Sequence, residues 1–250
     1  MKIKMKNIIA LMILAILTSC STPPQGDTLV LFMEQEKGVD PYQTRMIITK
    51  NFVRVDDGEG AKSFVLFDRN KKVVYSINPE EKTIMAVHEK KTENGMKIEP
   101  PFKLEQSFKE MPVMKDAPAI DGMHAKHYQL LTNNQVCYDV VAIKGLMPGV
   151  VTALTEFHKH LALDSLQTFN NIPADLHNAC DMSMTTFAPA RQFQFGFPIQ
   201  EWGNHEYARS LIDYKTNYKA APTLFDFPQG YKHYSVQELR EGKVKFEKNN

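Results

Sequence analysis

Over residues 28–88 the chain alternates short apolar, β-branched runs with clusters of Gly, Asn, Asp and Pro, and that rhythm leaves few folds open. Runs at 28–33, 42–49, 52–55, 63–68, 73–77 and 83–88 are separated by polar segments. Among these are Asp56-Asp57-Gly58-Glu59-Gly60, Arg69-Asn70-Lys71-Lys72 and Asn78-Pro79-Glu80-Glu81-Lys82. Runs of about five to eight residues bounded in this way are strands joined by tight turns. Within 42–49, Tyr42, Thr44, Met46 and Ile48 share one face and Gln43, Arg45 and Thr49 the other, with Ile47 an exception. An antiparallel meander is therefore expected. Residues 28–33 and 64–67 are apolar on both faces, so each side of those strands needs cover from a helix, a loop or a ligand.

Beyond residue 88 the pattern loosens. Pro100-Pro101 and Pro112 bracket residues 102–110, which read as a strand or a short helix. Residues 124–131 and 135–143 predict a hairpin about Thr132-Asn133-Asn134. Val150, Val151, Leu154, Phe157, Leu161 and Leu166 recur at helical spacing, which predicts the main helix over 149–169. Residues 170–204 read as loop, with 191–197 able to pair at a sheet edge. A strand is expected over 206–217, and the aromatic turn 224–231 leads into 236–245. No internal repeat or linker divides the chain, so residues 27–250 are expected to form a single domain. The fold class expected is α+β, mostly antiparallel β: a curved, incomplete β-barrel with one main packed helix.

The start of the chain is of a different kind. Lys2, Lys4 and Lys6 precede an apolar run at 8–17 that is too short to span a bilayer, which takes roughly twenty residues. This is the layout of a secretory signal. Leu17-Thr18-Ser19-Cys20 resembles the lipobox of bacterial lipoproteins. The resemblance implies that residues 1–19 are removed, that Cys20 is lipidated, and that 20–26 is a tether to a periplasmic domain. Ser21 in place of Asp implies retention at the outer membrane, facing the periplasm. A six-residue tether reaches at most about 20 Å.

Removing the leader takes away three lysines and turns a net charge of +1 slightly negative. No basic excess remains for nucleic acid or anionic headgroups, so the membrane is expected as a partner through acyl chains alone. Export also bears on the two remaining cysteines. Cys137 and Cys180 are an even pair in an oxidising compartment. They form either a disulfide, worth about 4 kcal/mol on the chain-entropy model, or two buried free thiols.

The stretch 64–84 carries a strand, the turn Asp68-Arg69-Asn70-Lys71-Lys72, and then Tyr75-Ser76-Ile77-Asn78-Pro79-Glu80-Glu81-Lys82. It is similar to uncharacterised periplasmic lipoproteins related to the lipoprotein-localisation (LolA/LolB) carriers. Leu224-Phe225-Asp226-Phe227-Pro228-Gln229-Gly230-Tyr231 resembles the closing strand of the same proteins. The resemblance implies an incomplete antiparallel barrel around a helix, with an apolar cavity for acyl chains, and it carries over no individual contact residue. The function it implies is non-enzymatic binding of a lipid or other hydrophobic ligand. The alternative is a structural or assembly lipoprotein that binds another envelope protein.

Catalytic and metal motifs are missing from the sequence. His158 and His160, two apart on the expected helix, point to different faces. Glu156 and His160 have helical spacing but lack a third ligand, and His124 and His127 would face opposite ways on a strand. Neither H-E-x-x-H nor a zinc-spaced Cys/His cluster occurs, so the histidines are expected to be solvated or on the helix surface, and neither a metal nor a cofactor is expected. The Ser motif G-x-S-x-G is absent, and Cys137 lies within a strand, an inert setting. The pairs Asp56-Asp57 and Glu80-Glu81 fall in turns and are expected to be solvated.

Overall fold

The computed structural model describes residues 26–58, 60–88, 99–112, 119–169, 173, 178–203 and 206–244. The meander is present as β1 (Asp27–Gln35), β2 (Tyr42–Ile48), β3 (Phe52–Asp56), β4 (Phe64–Asp68), β5 (Val73–Asn78) and β6 (Thr83–His88). A second set follows: β7 (Gln106–Glu110), the small hairpin β8 (Ala119–Ile120) and β9 (Met123–His124), β10 (Lys126–Thr132) and β11 (Gln135–Ile143). After the helix α1 (Pro148–Phe169) come β12 (Phe197–Gly203), β13 (Ala208–Tyr218) and β14 (Lys232–Ser235). Twelve strands form one sheet in the order β14-β6-β5-β4-β3-β2-β1-β13-β12-β11-β10-β7. All its pairings are antiparallel except β14 with β6. The sheet is not closed into a barrel: β14 and β7 are its two edges.

Period-two alternation divides the meander's residues between two covers. Val30, Phe32, Met46, Ile48, Val53, Phe67 and Val74 join Val150, Ala153, Leu154 and Phe157 of α1 in the largest buried cluster. On the opposite side Phe64, Leu66, Ile77 and Ile84 pack under Phe225, Phe227 and Tyr231 of the C-terminal aromatic segment. This double cover is why β4 is apolar on both faces. Burying a side chain such as Leu66 or Phe67, each 1% exposed, contributes about 1.5–3 kcal/mol. The apolar stripe of α1 is narrower than its sequence suggests, because Leu161 is exposed while Ala153 and Ala162 are buried. The side chain of Leu166 lies outside the described residues.

The second half of the chain decides one open reading, changes another and adds an element. Residues 102–110 resolve into the short edge strand β7. Residues 191–197 do not pair at an edge: Arg191–Phe195 is a 3-10 turn, and the strand is β12, seated between β11 and β13. Proline is tolerated inside the sheet because Pro198 sits beside a register shift between Val141 and Ala142, where a ladder bond is already lost. Gly196 has φ 120°, and a Cβ there would lie 2.3 Å from the Ile143 carbonyl oxygen, so only glycine permits this approach. Residues 236–245 begin as a short helix, α2 (Val236–Arg240), started by a capping box between Ser235 and Glu238.

Antiparallel neighbours send the meander's turns alternately to two rims of the sheet. The rim where the described chain enters at Gly26 and Asp27, called the base here, holds the β2–β3 turn (49–51), the β4–β5 turn (69–72) and the end of β13. The far rim holds the β1–β2 turn (36–41), the β3–β4 turn and the β5–β6 turn (79–82). Two of these turns share one construction. Asp68 Oδ1 accepts the amides of Asn70 and Lys71, as Asn78 Oδ1 accepts those of Glu80 and Glu81. Each turn closes on a lysine in the left-handed region, Lys72 at φ 56° and Lys82 at φ 50°.

Candidate functional site

The base rim contains a cleft of about 410 Å³ between the start of α1 and the ends of β1, β2 and β4. Its size falls within the range of small-molecule sites, about 300–1,000 Å³. Ile48 and Val150 are its apolar lining, both continuous with the core. Thr28, Thr49 and Thr152 add hydroxyls, and Arg69 and Lys50 add positive charge. The local sequence fixes this arrangement. Arg69, the first residue after β4, donates from Nε to Glu156 on α1 at 2.8 Å and from Nη1 to the carbonyls of Thr49 and Lys50 at 3.1 and 3.0 Å. One guanidinium thus ties together the helix, the β2–β3 turn and the β4–β5 turn. Thr49 Oγ1 accepts the amides of Asn51 and Phe52, which holds the Lys50 turn in shape. An apolar floor with hydroxyls and cations at the mouth suits an amphipathic molecule bearing an anionic or polar head.

A second, more open cleft of about 310 Å³ lies at the far rim, where Tyr42, Thr44, Val55, Val65 and Ser76 lie on the same side of the sheet as the helix-covered core. The Tyr42 hydroxyl donates to Glu36 Oε1, and this bond first, then burial, pushes the phenol pKa up to about 12.

Cys20 and residues 1–19, together with the tether as far as Gln25, lie outside the described residues. Cys137 and Cys180 are bonded to each other with the sulfurs 2.00 Å apart. The bond ties β11 to the short helix Ala179–Met182, inside the stretch that reads as loop in the sequence.

Three histidines depart from the expectation of solvated side chains, while His88, His124 and His233 are exposed in line with it. His158 packs edge-on against Phe193 at 5.1 Å, and its pKa is pushed down to about 3, first by burial and then by the nearby Arg209. His160 lies 4.9 Å from the Phe67 ring, and its Nδ1 approaches the Glu156 carbonyl at 2.9 Å. His127 Nε2 pairs with Asp139 at 2.7 Å beneath Trp202. Amphipathic imidazole serves here as core material, filling positions beside aromatic rings. Among the described residues no group of three or more His, Cys, Asp or Glu side chains is placed to hold a metal ion.

Asp56 is likewise not a solvated turn residue. As the last residue of β3 it faces the aromatic cover, and its carboxylate takes bonds from Arg45 and Arg54. The Arg54 guanidinium lies 3.7 Å over the Phe64 ring and also donates to the Leu224 carbonyl. Glu80 and Glu81 are exposed, as the sequence indicates.

The sequence reading misses a further buried pair. Glu201 on β12 and Arg209 on β13 are register partners, 1% and 6% exposed, with both Arg209 bonds going to Glu201 Oε2. Burial opposes the Arg209 charge, but Glu201 outweighs it and holds the guanidinium protonated. Burial and then Glu201 push the neighbouring Tyr138 phenol well above its ordinary pKa. The pair sits beneath Phe32, whose ring centre is 4.5 Å from the Arg209 guanidinium carbon. The pair joins β12 to β13 within the sheet.

No known protein family matches the chain, and no curated protein does. Among solved structures the chain is similar to PNGF-II, in a C2 and a P21 space group, at 11% and 8% identity. Both comparisons cover 87% of this chain at a TM-score of 0.39. The chain spans about a third of the PNGF-II chains, 32% and 33%. A likeness this remote carries no argument about activity.

Proposed function

We propose that this chain is an exported lipoprotein, anchored by acyl chains on Cys20 at the periplasmic face of the outer membrane. There it binds a lipid or related amphipathic molecule without chemical conversion. The observation that carries the reading is the position of the base cleft. It opens beside Gly26, six residues from the cysteine that the lipobox-like leader presents. A tether of that length keeps the cleft within about 20 Å of the anchoring bilayer. Inside it, the small surface that Ile48 and Val150 leave uncovered would meet an apolar chain, at about 25 cal/mol per Å² buried, while Lys50, Arg69 and the three threonines meet the head. The finer fold reading, an incomplete barrel of the LolA/LolB type, belongs to the same proposal and is supported by the open antiparallel sheet with one long helix laid against it.

The alternative is a structural or assembly lipoprotein whose surface binds another envelope protein. It is favoured by the filled space under α1, where Phe32, Phe67, Phe157 and Phe197 pack into one continuous cluster.

Native mass spectrometry of the unacylated chain, incubated with envelope phospholipids, separates the two. The lipid reading predicts adducts of one lipid mass that Thr152→Trp, filling the exposed mouth of the cleft, removes. A spectrum without adducts would leave the assembly reading.

A further inference from the structure

We propose that the base rim docks on an anionic phospholipid surface, a reading that rests on the Cys20 anchor and adds to it a defined orientation of the body. The sequence as a whole is almost neutral, yet the fold sorts its charges by rim. Lys50, Lys71, Lys72 and Lys219 project from the base as exposed residues, around the partly exposed Arg69. All five lie in turns or at the strand end where the chain enters. The far-rim turns carry Glu36, Asp40, Asp57, Glu80 and Glu81, all exposed, among Lys37, Lys62 and Lys82.

The acids near the base patch each have a partner within the chain. Asp68 is 6% exposed and accepts two turn amides, with Lys71 Nζ at 3.4 Å. Glu156 is bound by Arg69, and Asp27 accepts the Ala220 amide at 3.3 Å. Further along the same rim, Glu110 pairs with Lys126, and Asp121 accepts the Tyr214 hydroxyl.

The occupant follows from where the chain goes. The first described residue after the lipidation site is Gly26, on this rim, and a tether of about 20 Å gives the base far readier access to the bilayer than the far rim. Basic side chains near an anionic surface each strengthen binding by about fivefold, an effect that fades within a Debye length. The acidic far rim is repelled by the same surface, so the body stands base-down and the mouth of the base cleft meets the headgroups.

The experiment uses the chain from residue 20 onward with Cys20→Ser, which holds every described strand and helix and carries no acyl chain. It is sedimented with vesicles of equal phosphatidylglycerol and phosphatidylcholine, and with vesicles of phosphatidylcholine alone. Preferential binding to the anionic vesicles is expected, lost in 0.5 M salt. Lys71→Glu with Lys72→Glu should weaken it at least tenfold, while Lys62→Glu with Lys82→Glu, the same charge change on the far rim, should leave it within about twofold. Should the double reversal fail to fold, Lys72→Gln with Lys219→Gln reads the same patch with a smaller loss. Equal loss from both rims, or no preference for the anionic vesicles, overturns the proposal. The mass of the native N-terminal peptide is measured separately. An acylated Cys20 without vesicle preference sinks the rim alone, and vesicle preference with an unmodified Cys20 sinks the anchor alone.

Discussion

The meander β1–β6 and the return half formed by β7 and β10–β13 belong to one sheet but are specified in different ways. In the meander each strand pairs with the next along the chain, and each turn carries its own instructions. Asp68 and Asn78 fold their turns with a single side-chain oxygen. In the return half the determinants are distant in sequence: the Cys137–Cys180 bond, the Glu201–Arg209 pair, and a glycine whose missing side chain lets β12 reach Ile143. Local chemistry suffices where contacts are local, and the half closed by long-range contacts depends on a few irreplaceable groups.

The comparison breaks most visibly at the buried charges. Glu201→Leu leaves the Arg209 guanidinium buried and unpaired, and should cost about 3–5 kcal/mol in urea-unfolding free energy. Asp56→Leu removes the carboxylate that Arg45 and Arg54 share in the meander and should cost a similar amount. If the two halves unfold together, both variants lower one common midpoint. Two separate transitions would show that each half folds alone. Removing the disulfide with Cys137→Ser and Cys180→Ser opens a 43-residue loop and should cost about 2–4 kcal/mol.

A pH series sharpens the same contrast. The folded-state pKa of His158, about 3, lies below the ordinary imidazole value of 6.5. Below that ordinary value the unfolded chain takes up a proton that the folded chain refuses. The stabilisation is therefore complete above about pH 6.5 and is lost progressively as pH falls toward 3. His158→Leu should flatten the decline of melting temperature between pH 7 and pH 4, and an unchanged slope would remove this histidine from the account. The smallest effect belongs to the turns. Asp68→Ala or Asn78→Ala forfeits the side-chain bonds to two turn amides and should cost about 1 kcal/mol each by thermal melting.

The same division explains what the sequence shows and what it conceals. Strands β1–β6 are legible because alternation and turn residues agree at every step, and α1 because its apolar positions recur at helical spacing. β12 is hidden by Pro198, Gly196 and Gly203, which read as breakers although Pro198 adjoins a bulge and Gly196 relieves a clash. β7 is legible only as a strand or a short helix, because all five of its residues are exposed and show no alternation. Asp56 looks like the first residue of a turn, and only the covering segment around Leu224, distant in sequence, makes it buried. The base cleft draws on Thr28, Ile48, Arg69 and Val150, which no local pattern connects. Net charge conceals the charged rim as well. The signal was present in the sequence, in Arg69-Asn70-Lys71-Lys72 against Pro79-Glu80-Glu81-Lys82, and needed only the rule that successive turns of a meander alternate between rims.

The most direct measurement is the intact mass of the protein extracted from the envelope of cells expressing the full chain. The account predicts a chain beginning at Cys20 and heavier than its residues by covalently attached acyl groups. A chain with its leader uncleaved, or one carrying a free Cys20 thiol, would contradict it.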